Sequence, residues 1–163
     1  MITVLRRSVA RRLREAGLMV ATAESCTGGL LSAVLTAASG SSAWFKGGVV
    51  AYSNALKVRL LRVPTALLAA YGAVSRPTAL AMAEGVCRAT GAPVGVAITG
   101  IAGPTGGVPG KPVGTVWIAV RDPAGTVARR YRFKGSRQAV RRAACVKALE
   151  MLDARSGLWH NAL

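Results

Sequence analysis

Acidic residues are scarce in this chain, and so are histidine, cysteine and aromatic residues. Its 163 residues include six Asp or Glu, one His, three Cys and 5% aromatics. A zinc or iron site usually takes three or four His, Cys or carboxylate ligands, so we expect no metal, and no other cofactor is indicated. The three cysteines, Cys26, Cys87 and Cys145, lie far apart in the sequence, and this spacing does not indicate a disulfide framework.

Long apolar runs are missing as well. No stretch approaches the roughly 20 apolar residues that span a bilayer, and no apolar signal core follows the basic N-terminus. We therefore expect a cytoplasmic protein without a membrane partner. Hydrophobic residues still make up 52% of the chain, chiefly Ala, Val and Leu, and this content predicts a packed domain in which helices cover a sheet.

The order of the predicted elements indicates the fold class. Periodicity and turn signals predict a helix over 3–16, a strand over 18–23, a helix over 27–37, a strand over 44–52, two short helices between Asn54 and Gly72, a helix from Pro77 to near Gly91, strands over 94–99, 113–120 and 126–133, and a helix over 137–154. This alternation is typical of an α/β protein, a three-layer α/β/α domain with a mixed, mostly parallel sheet. We expect a single domain over 1–155 and a frayed tail over 156–163.

The stretch that follows the first predicted strand carries a candidate nucleophile. Ser25, Cys26 and Thr27 stand in a polar turn before two glycines and a helix start. The free N–H groups of a helix start can hold a phosphate or stabilise an oxyanion beside a nucleophile. Ser25 is the candidate nucleophile, and its alternative role is that of a helix-capping hydroxyl. Cys26 is a second possible nucleophile, although small cysteines are more often buried.

A nucleophilic serine needs a base, and this sequence offers a lysine for that role. The only histidine, His160, lies in the predicted tail, which argues against a Ser-His-Asp triad. Ser25 follows the first predicted strand, and Tyr52 and Thr99 stand at the ends of the next two. Ligands gather at strand carboxyl ends in open α/β sheets. Lys57 comes about one turn into the helix after Tyr52, and a desolvated lysine can act as the base. The alternative for Lys57 is a solvated helix lysine.

The formal net charge of +16 has two interpretations. It indicates either a nucleic-acid surface or an enzyme with an anionic substrate. No recognition-helix pattern, aromatic platform or zinc finger accompanies the basic clusters, so nucleic-acid binding is the less favoured interpretation. Arg137 and Arg141, four apart on one predicted helix face, could hold a phosphate or form a solvated face. The glycine-rich loop over 100–110 could cradle ribose or phosphate.

Several blocks of the sequence together resemble one known family. They are Thr22-Ala23-Glu24-Ser25-Cys26-Thr27-Gly28-Gly29, Gly40-Ser41-Ser42-Ala43-Trp44-Phe45, Val50-Ala51-Tyr52-Ser53-Asn54 with Lys57, Gly72-Ala73-Val74-Ser75, Thr99-Gly100-Ile101-Ala102-Gly103-Pro104, and Lys111-Pro112-Val113-Gly114-Thr115-Val116-Trp117. With this order and spacing, residues 5 to 153 resemble the CinA C-terminal domain, in its stand-alone form. The family often has Gly-Asp-Arg before its last helix, where this chain has Gly135-Ser136-Arg137.

The resemblance implies an activity and a set of site residues. The family is known as nicotinamide-nucleotide amidohydrolase, which converts nicotinamide mononucleotide to nicotinate mononucleotide and ammonia. By resemblance Ser25 matches the nucleophile, Lys57 its base, and Tyr52 and Thr99 supporting residues. We expect N–H groups at the following helix start to stabilise the oxyanion. The expected substrate contacts are Thr27, Gly28, Gly29, Gly100, Gly103, Arg137 and Arg141. The resemblance also implies a homo-oligomer, and the alternative function is a non-catalytic nucleotide- or nucleic-acid-binding module.

Overall fold

A computed structural model describes residues 1–161 of the chain as an α/β protein. The helices are α1 Ile2–Glu15, α2 Leu30–Thr36, α3 Asn54–Leu61, α4 Thr65–Tyr71, α5 Arg76–Thr90 and α6 Arg137–Arg155, and the strands are β1 Val20–Glu24, β2 Phe45–Val50, β3 Val94–Gly100, β4 Thr115–Asp122 and β5 Gly125–Arg132. Short 3-10 helices cover Ser41–Ala43 and Ser156–Asn161. None of the helices in this part of the chain is long and apolar enough to cross a membrane.

The five strands form one mixed sheet in the order β2-β1-β3-β4-β5. Strand β1 pairs in parallel with both β2 and β3, whereas β4 is antiparallel to β3 and to β5. The predicted fold class and mixed sheet are confirmed. Because β2, β1 and β3 run in the same direction, their carboxyl ends meet at one edge of the sheet, where ligands commonly bind in open α/β folds.

The sheet separates two hydrophobic cores, because successive side chains of a strand point to opposite faces. Val94, Val96 and Ile98 of β3 belong to the core that also contains buried residues of α1, α2 and α6. The other core contains Ala97 of β3 together with buried residues of α3 and α5. Small residues on this second face let α5 approach closely: a Cβ placed on Gly95 would lie 2.6 Å from the Ala83 carbonyl oxygen.

The C-terminal segment differs from the frayed tail expected over 156–163. Ser156–Asn161 forms a 3-10 helix, and the side chain of Trp159 is fully buried. The Trp159 Nε1 group donates to Asp122 Oδ2 at 3.1 Å, and Arg155 forms an ion pair with the same carboxylate. Burial of a large indole with a satisfied N–H explains why this segment folds back on the domain. Residues 162 and 163 lie outside the described part.

Candidate active site

Ser25 stands directly after β1, at the shared carboxyl edge of the parallel strands. Its backbone N–H donates to the Ile98 carbonyl of β3 at 2.9 Å, which fixes the serine between two strands. The residue is buried, with 8% of its surface exposed. Helix α2 begins five residues later, with Gly29 as its N-cap. Ser25 therefore does not cap that helix, and the capping role considered for it is wrong.

Lys57 lies in α3, the helix that follows β2, and its side chain contacts Ser25. The Ser53 hydroxyl caps α3 by accepting from the Leu56 N–H at 3.2 Å, and this start places Lys57 one turn into the helix, facing the sheet. Lys57 is only 1% exposed, so the alternative of a solvated helix lysine is wrong. Its Nζ lies 3.1 Å from Ser25 Oγ.

The other hydrogen-bond partners of the Lys57 amine determine whether it can accept a proton from Ser25. Nζ lies 3.0 Å from the Ala51 carbonyl oxygen and 3.1 Å from the Tyr52 carbonyl oxygen. Carbonyl oxygens only accept, so a neutral amine would give its two N–H groups to them and turn its lone pair toward Ser25 Oγ. Burial lowers the pKa of Lys57 from its ordinary 10.5, while the nearby Cys26 acts in the opposite direction. Lowering this pKa favours the neutral, proton-accepting form.

Cys26, the other possible nucleophile, lies at the same edge but is buried and 4% exposed. Burial raises the pKa of its thiol to about 11. The thiolate is the reactive form of cysteine, and it is therefore sparsely populated near neutral pH. The geometry favours Ser25 over Cys26.

A buried carboxylate, which was not among the predicted site residues, holds the Ser25 turn against α2. Glu24 is fully buried at the end of β1. Its Oε2 accepts from the N–H groups of Gly29 at 3.1 Å and Leu31 at 3.0 Å. Its Oε1 accepts from the Ser32 N–H at 2.8 Å and the Ser32 hydroxyl at 2.7 Å. A negative charge at a helix N-terminus is favourable, and here it connects the strand end to the helix start.

This arrangement corrects the expected source of the oxyanion donors. The N–H groups at the start of α2 are occupied by Glu24, so they are not available to a substrate. The N–H groups of Cys26 and Thr27 make no hydrogen bond to another residue within the described chain. The N–H that follows the nucleophile supplies an oxyanion donor in other strand-turn-helix sites, and Cys26 holds that position here. The turn, rather than the helix, therefore has N–H groups that are not already bound by another residue of the described chain.

Most of the predicted site residues line one cleft of about 270 Å³ at this edge. The predicted residues in its wall are Ser25, Lys57, Tyr52, Thr99, Gly100, Gly103 and Arg137. Ile101 and Thr105 of the predicted loop 100–110 also line the cleft. Asn54 and Val74 line it too, although they were not among the predicted contacts. The position of Asn54 directly after Tyr52 and Ser53 was the available sequence signal for it.

Tyr52, Thr99 and Arg137 are tied to the cleft wall by hydrogen bonds. The Tyr52 side chain is 55% exposed, and its hydroxyl accepts from Arg137 Nη2 at 2.7 Å. Arg137 Nη1 donates to the Gly103 carbonyl at 2.9 Å, so the arginine joins the connection after β2 to the glycine-rich loop. The buried Thr99 hydroxyl donates to the Ala73 carbonyl at 2.8 Å and supports the wall opposite.

Four predicted substrate contacts lie outside the cleft lining: Thr27, Gly28, Gly29 and Arg141. Gly28 and Gly29 have φ angles of +57° and +94°, values that disfavour a side chain, so the turn itself requires glycine at both positions. Arg141 donates to the Thr27 carbonyl at 2.7 Å and thereby braces the turn from α6. The Thr27 hydroxyl is buried without a hydrogen-bond partner in the described part of the chain.

The chain belongs to the CinA family. Residues 2–155 match the family model described as the CinA C-terminal domain. Among curated proteins, it is 55% identical over 144 residues to a CinA-like protein of Anaeromyxobacter dehalogenans, covering 88% of this chain and 35% of that protein. It is 53% identical over 148 residues to a CinA-like protein of Geobacter sulfurreducens, covering 91% of this chain and 36% of the relative. The chain thus spans about a third of the length of these relatives.

Solved structures agree with this assignment. A CinA superfamily protein from Klebsiella pneumoniae superposes with a TM-score of 0.94 at 38% identity, covering 98% of this chain and 99% of the other. The competence/damage inducible protein CihA from Agrobacterium tumefaciens superposes with a TM-score of 0.91 at 45% identity, covering 94% of each chain. These likenesses confirm the family resemblance read from the sequence.

Proposed function

We propose that this domain hydrolyses the carboxamide of nicotinamide mononucleotide, giving nicotinate mononucleotide and ammonia, with Ser25 as nucleophile and Lys57 as base. The observation that supports the mechanism most strongly is the 3.1 Å contact between Lys57 Nζ and Ser25 Oγ inside a buried site. The choice of substrate rests on the resemblance to the CinA C-terminal domain and on CinA family membership, together with the exposed Arg137 in the cleft wall.

The first half of the reaction forms an acyl-enzyme. Ser25 Oγ attacks the amide carbon and its proton passes to the Lys57 lone pair. The amide oxygen becomes an oxyanion. The N–H groups of Cys26 and Thr27, which have no other residue to bind in the described chain, can donate hydrogen bonds to this oxyanion. Lys57 then gives its proton to the leaving nitrogen, the C–N bond breaks, and ammonia departs.

The second half returns the enzyme to its starting state. A water molecule gives a proton to Lys57 and attacks the ester carbon. The bond between Ser25 Oγ and that carbon breaks, nicotinate mononucleotide leaves, and the proton returns from Lys57 to the Ser25 oxygen. Two carbonyl contacts hold the amine in place during both transfers, so each transfer needs little reorganisation.

Arg137 is the residue best placed to hold the substrate phosphate in this proposal. Its side chain is exposed, and only two of its five N–H donors are accounted for by Gly103 and Tyr52. The remaining donors can bind a phosphate in the forked geometry typical of arginine. Arg141 is directed to the Thr27 carbonyl instead, and we assign it to the support of the turn.

The test is release of ammonia and nicotinate mononucleotide from nicotinamide mononucleotide by the purified chain. We expect turnover by the wild type and a loss of about a thousandfold or more in Ser25→Ala, because the nucleophile is gone. Ser42→Ala, which changes an exposed serine outside the cleft, serves as the matched control and should keep the wild-type rate. No ammonia from the wild type would contradict the activity, and near-full turnover by Ser25→Ala would contradict the mechanism.

A further inference from the structure

Every acidic side chain of this protein is already engaged within the fold. Five of the six acids form ion pairs, with Arg11, Arg12, Arg121, Lys147 and Arg155 as their basic partners. The sixth, Glu24, is fully buried and is bound by the start of α2. Most of the 22 basic side chains therefore have no acidic partner, and the surface potential is positive with little local compensation.

Uncompensated cations are concentrated along one edge of the sheet. Strand β5 pairs only with β4, so it is an edge strand. The strand and its continuation carry Arg129, Arg130, Arg132 and Lys134, all exposed, and we call these four residues the basic edge. Within the described residues none of the four has an acidic partner. Because successive side chains of a strand point to opposite faces, Arg129 lies on one face of β5 and Arg130 and Arg132 lie on the other, so cations border the edge on both faces.

Aromatic surface and a groove adjoin the basic edge. The rings of Tyr131 and Phe133 stack on each other with centroids 5.6 Å apart, and both are half-buried because they also pack against the hydrophobic core. Tyr131 lies on the same face of β5 as Arg129. A groove of about 580 Å³ runs beside the strand, with Arg76, Arg129, Tyr131 and Lys147 in its lining. The groove also contains Glu150, whose carboxylate is paired with Lys147 at 2.6 Å.

The charge pattern of the basic edge selects among possible occupants. Pairing this edge with a second copy of itself would bring rows of like charge together, which is unfavourable. A polyanion would instead be attracted electrostatically to each cation of the basic edge. Proteins that bind single-stranded nucleic acid without sequence preference combine a positive groove with aromatic side chains on which bases stack. Arg76, Arg129 and Tyr131 in the groove fit that description, and the other cations of the basic edge extend the positive surface beyond it.

We propose that this protein binds single-stranded nucleic acid along the basic edge, through the phosphates. This binding site is separate from the cleft around Ser25 and does not depend on the amidohydrolase activity. The sugar-phosphate backbone contacts the cations along the edge, and a base lies against the exposed part of Tyr131 in the groove. Binding is independent of sequence, because nothing in the basic edge presents a fixed set of donors and acceptors to base edges.

Titration of the purified chain with a labelled single-stranded oligothymidylate over a range of potassium chloride concentrations tests this proposal. The logarithm of the association constant falls with the logarithm of salt concentration by about 0.7 per phosphate contact for single strands. Arg132→Gln combined with Lys134→Gln removes two contacts, so we expect the magnitude of this slope to decrease by about 1.4. Thermal melting checks that the variant is folded.

The matched control removes the same charge elsewhere. Arg7 and Arg14 are exposed on α1, outside the basic edge, and Arg7→Gln combined with Arg14→Gln should leave the slope unchanged. Equal losses in both double variants would overturn the assignment to the basic edge. Absence of oligonucleotide binding by the wild type at low salt, or binding to anionic phosphatidylglycerol vesicles alone, would overturn the proposal itself. So would a change of oligomeric state in Arg132→Gln/Lys134→Gln, since it would assign the edge to a second copy.

Discussion

Three hydrogen-bond partners fix the position of the Lys57 amine, and burial shields it from water. Two carbonyl oxygens hold the amine, Ser25 Oγ lies at 3.1 Å, and burial leaves only 1% of the residue exposed. The sequence predicted the pairing with Ser25 because Tyr52 ends a strand and Lys57 follows one helical turn later. The contacts with Ala51 and Tyr52 could not be predicted, since they depend on the backbone path between β2 and α3.

The pH dependence of turnover follows from the lowered pKa of Lys57. Only the neutral amine can accept the Ser25 proton, so kcat/KM should rise with pH as Lys57 loses its proton. Burial lowers this pKa, and the inflection should therefore appear below the ordinary lysine value of 10.5. The measurement is kcat/KM for ammonia release from neutral to alkaline pH. A rate that falls with rising pH over this range would contradict the assignment of Lys57 as base.

The same shift predicts a change in stability with pH. Between the lowered pKa of the folded state and 10.5, the unfolded chain binds more protons at Lys57 than the folded chain does. The contribution of Lys57 to the free energy of unfolding should therefore rise with pH through this window, and its penalty should be fully present below it. Urea unfolding of wild type and Lys57→Met at several pH values isolates this contribution. An identical pH dependence in both proteins would contradict the shift.

The predicted start of α2 was wrong by three residues, and this error affected the prediction of which N–H groups could bind an oxyanion. We expected the helix to begin near Thr27, which would leave its N–H groups free for the substrate. It begins at Leu30, because Gly28 and Gly29 adopt left-handed conformations that delay the helix. The Glu24 side chain then reaches the first turn. The position of Glu24, an acid just before the Ser/Thr/Gly turn, was a usable sequence signal. Its hydrogen-bond partners could not be predicted, because they depend on whether the helix begins at Thr27 or at Leu30.

Glu24→Gln should destabilise the protein. The glutamine amide replaces one acceptor oxygen with a donor, so buried N–H groups of α2 lose a charged partner, and we expect a decrease of about 2–3 kcal/mol in the free energy of unfolding. Glu15→Gln is the control, since Glu15 forms an exposed i,i+4 pair with Arg11 and should contribute about 0.5 kcal/mol or less. Chemical denaturation measures both. Equal small effects would show that the Glu24 contacts contribute little to stability.

At the scale of the whole molecule, the element order and layers were predictable and the chain end was not. Predicted strands rich in Val and Ala alternate along the sequence with helices that have one apolar face. This alternation predicts the α/β/α layering even where the predicted element bounds are off by a few residues. The last segment depends on one long-range contact, the burial of Trp159 next to Asp122. A tryptophan in an aromatic-poor chain was the only local signal. Self-association, which the family resemblance implies, stays a prediction.

Trp159→Ala should therefore lower stability well beyond what a terminal residue usually contributes. Removing a fully buried indole leaves a cavity and leaves Asp122 with one fewer donor, so we expect a loss of about 3–5 kcal/mol. Leu158→Ala, at a position that is 48% exposed, is the neighbouring control and should change stability by about 0.5 kcal/mol. Thermal or urea unfolding compares the two. Similar small changes in both variants would mean that the segment does not stabilise the domain.

The Ser25–Lys57 pair is the central claim, and ammonia release by Lys57→Met tests it most directly. Methionine fills a similar volume without a base, so the account predicts turnover of nicotinamide mononucleotide by the wild type and a loss of about 10²–10⁴-fold in the variant. Lys57→Arg should be equally impaired, because a guanidinium stays protonated. Turnover by Lys57→Met within a few-fold of the wild-type rate, in a variant shown to be folded, would contradict the account.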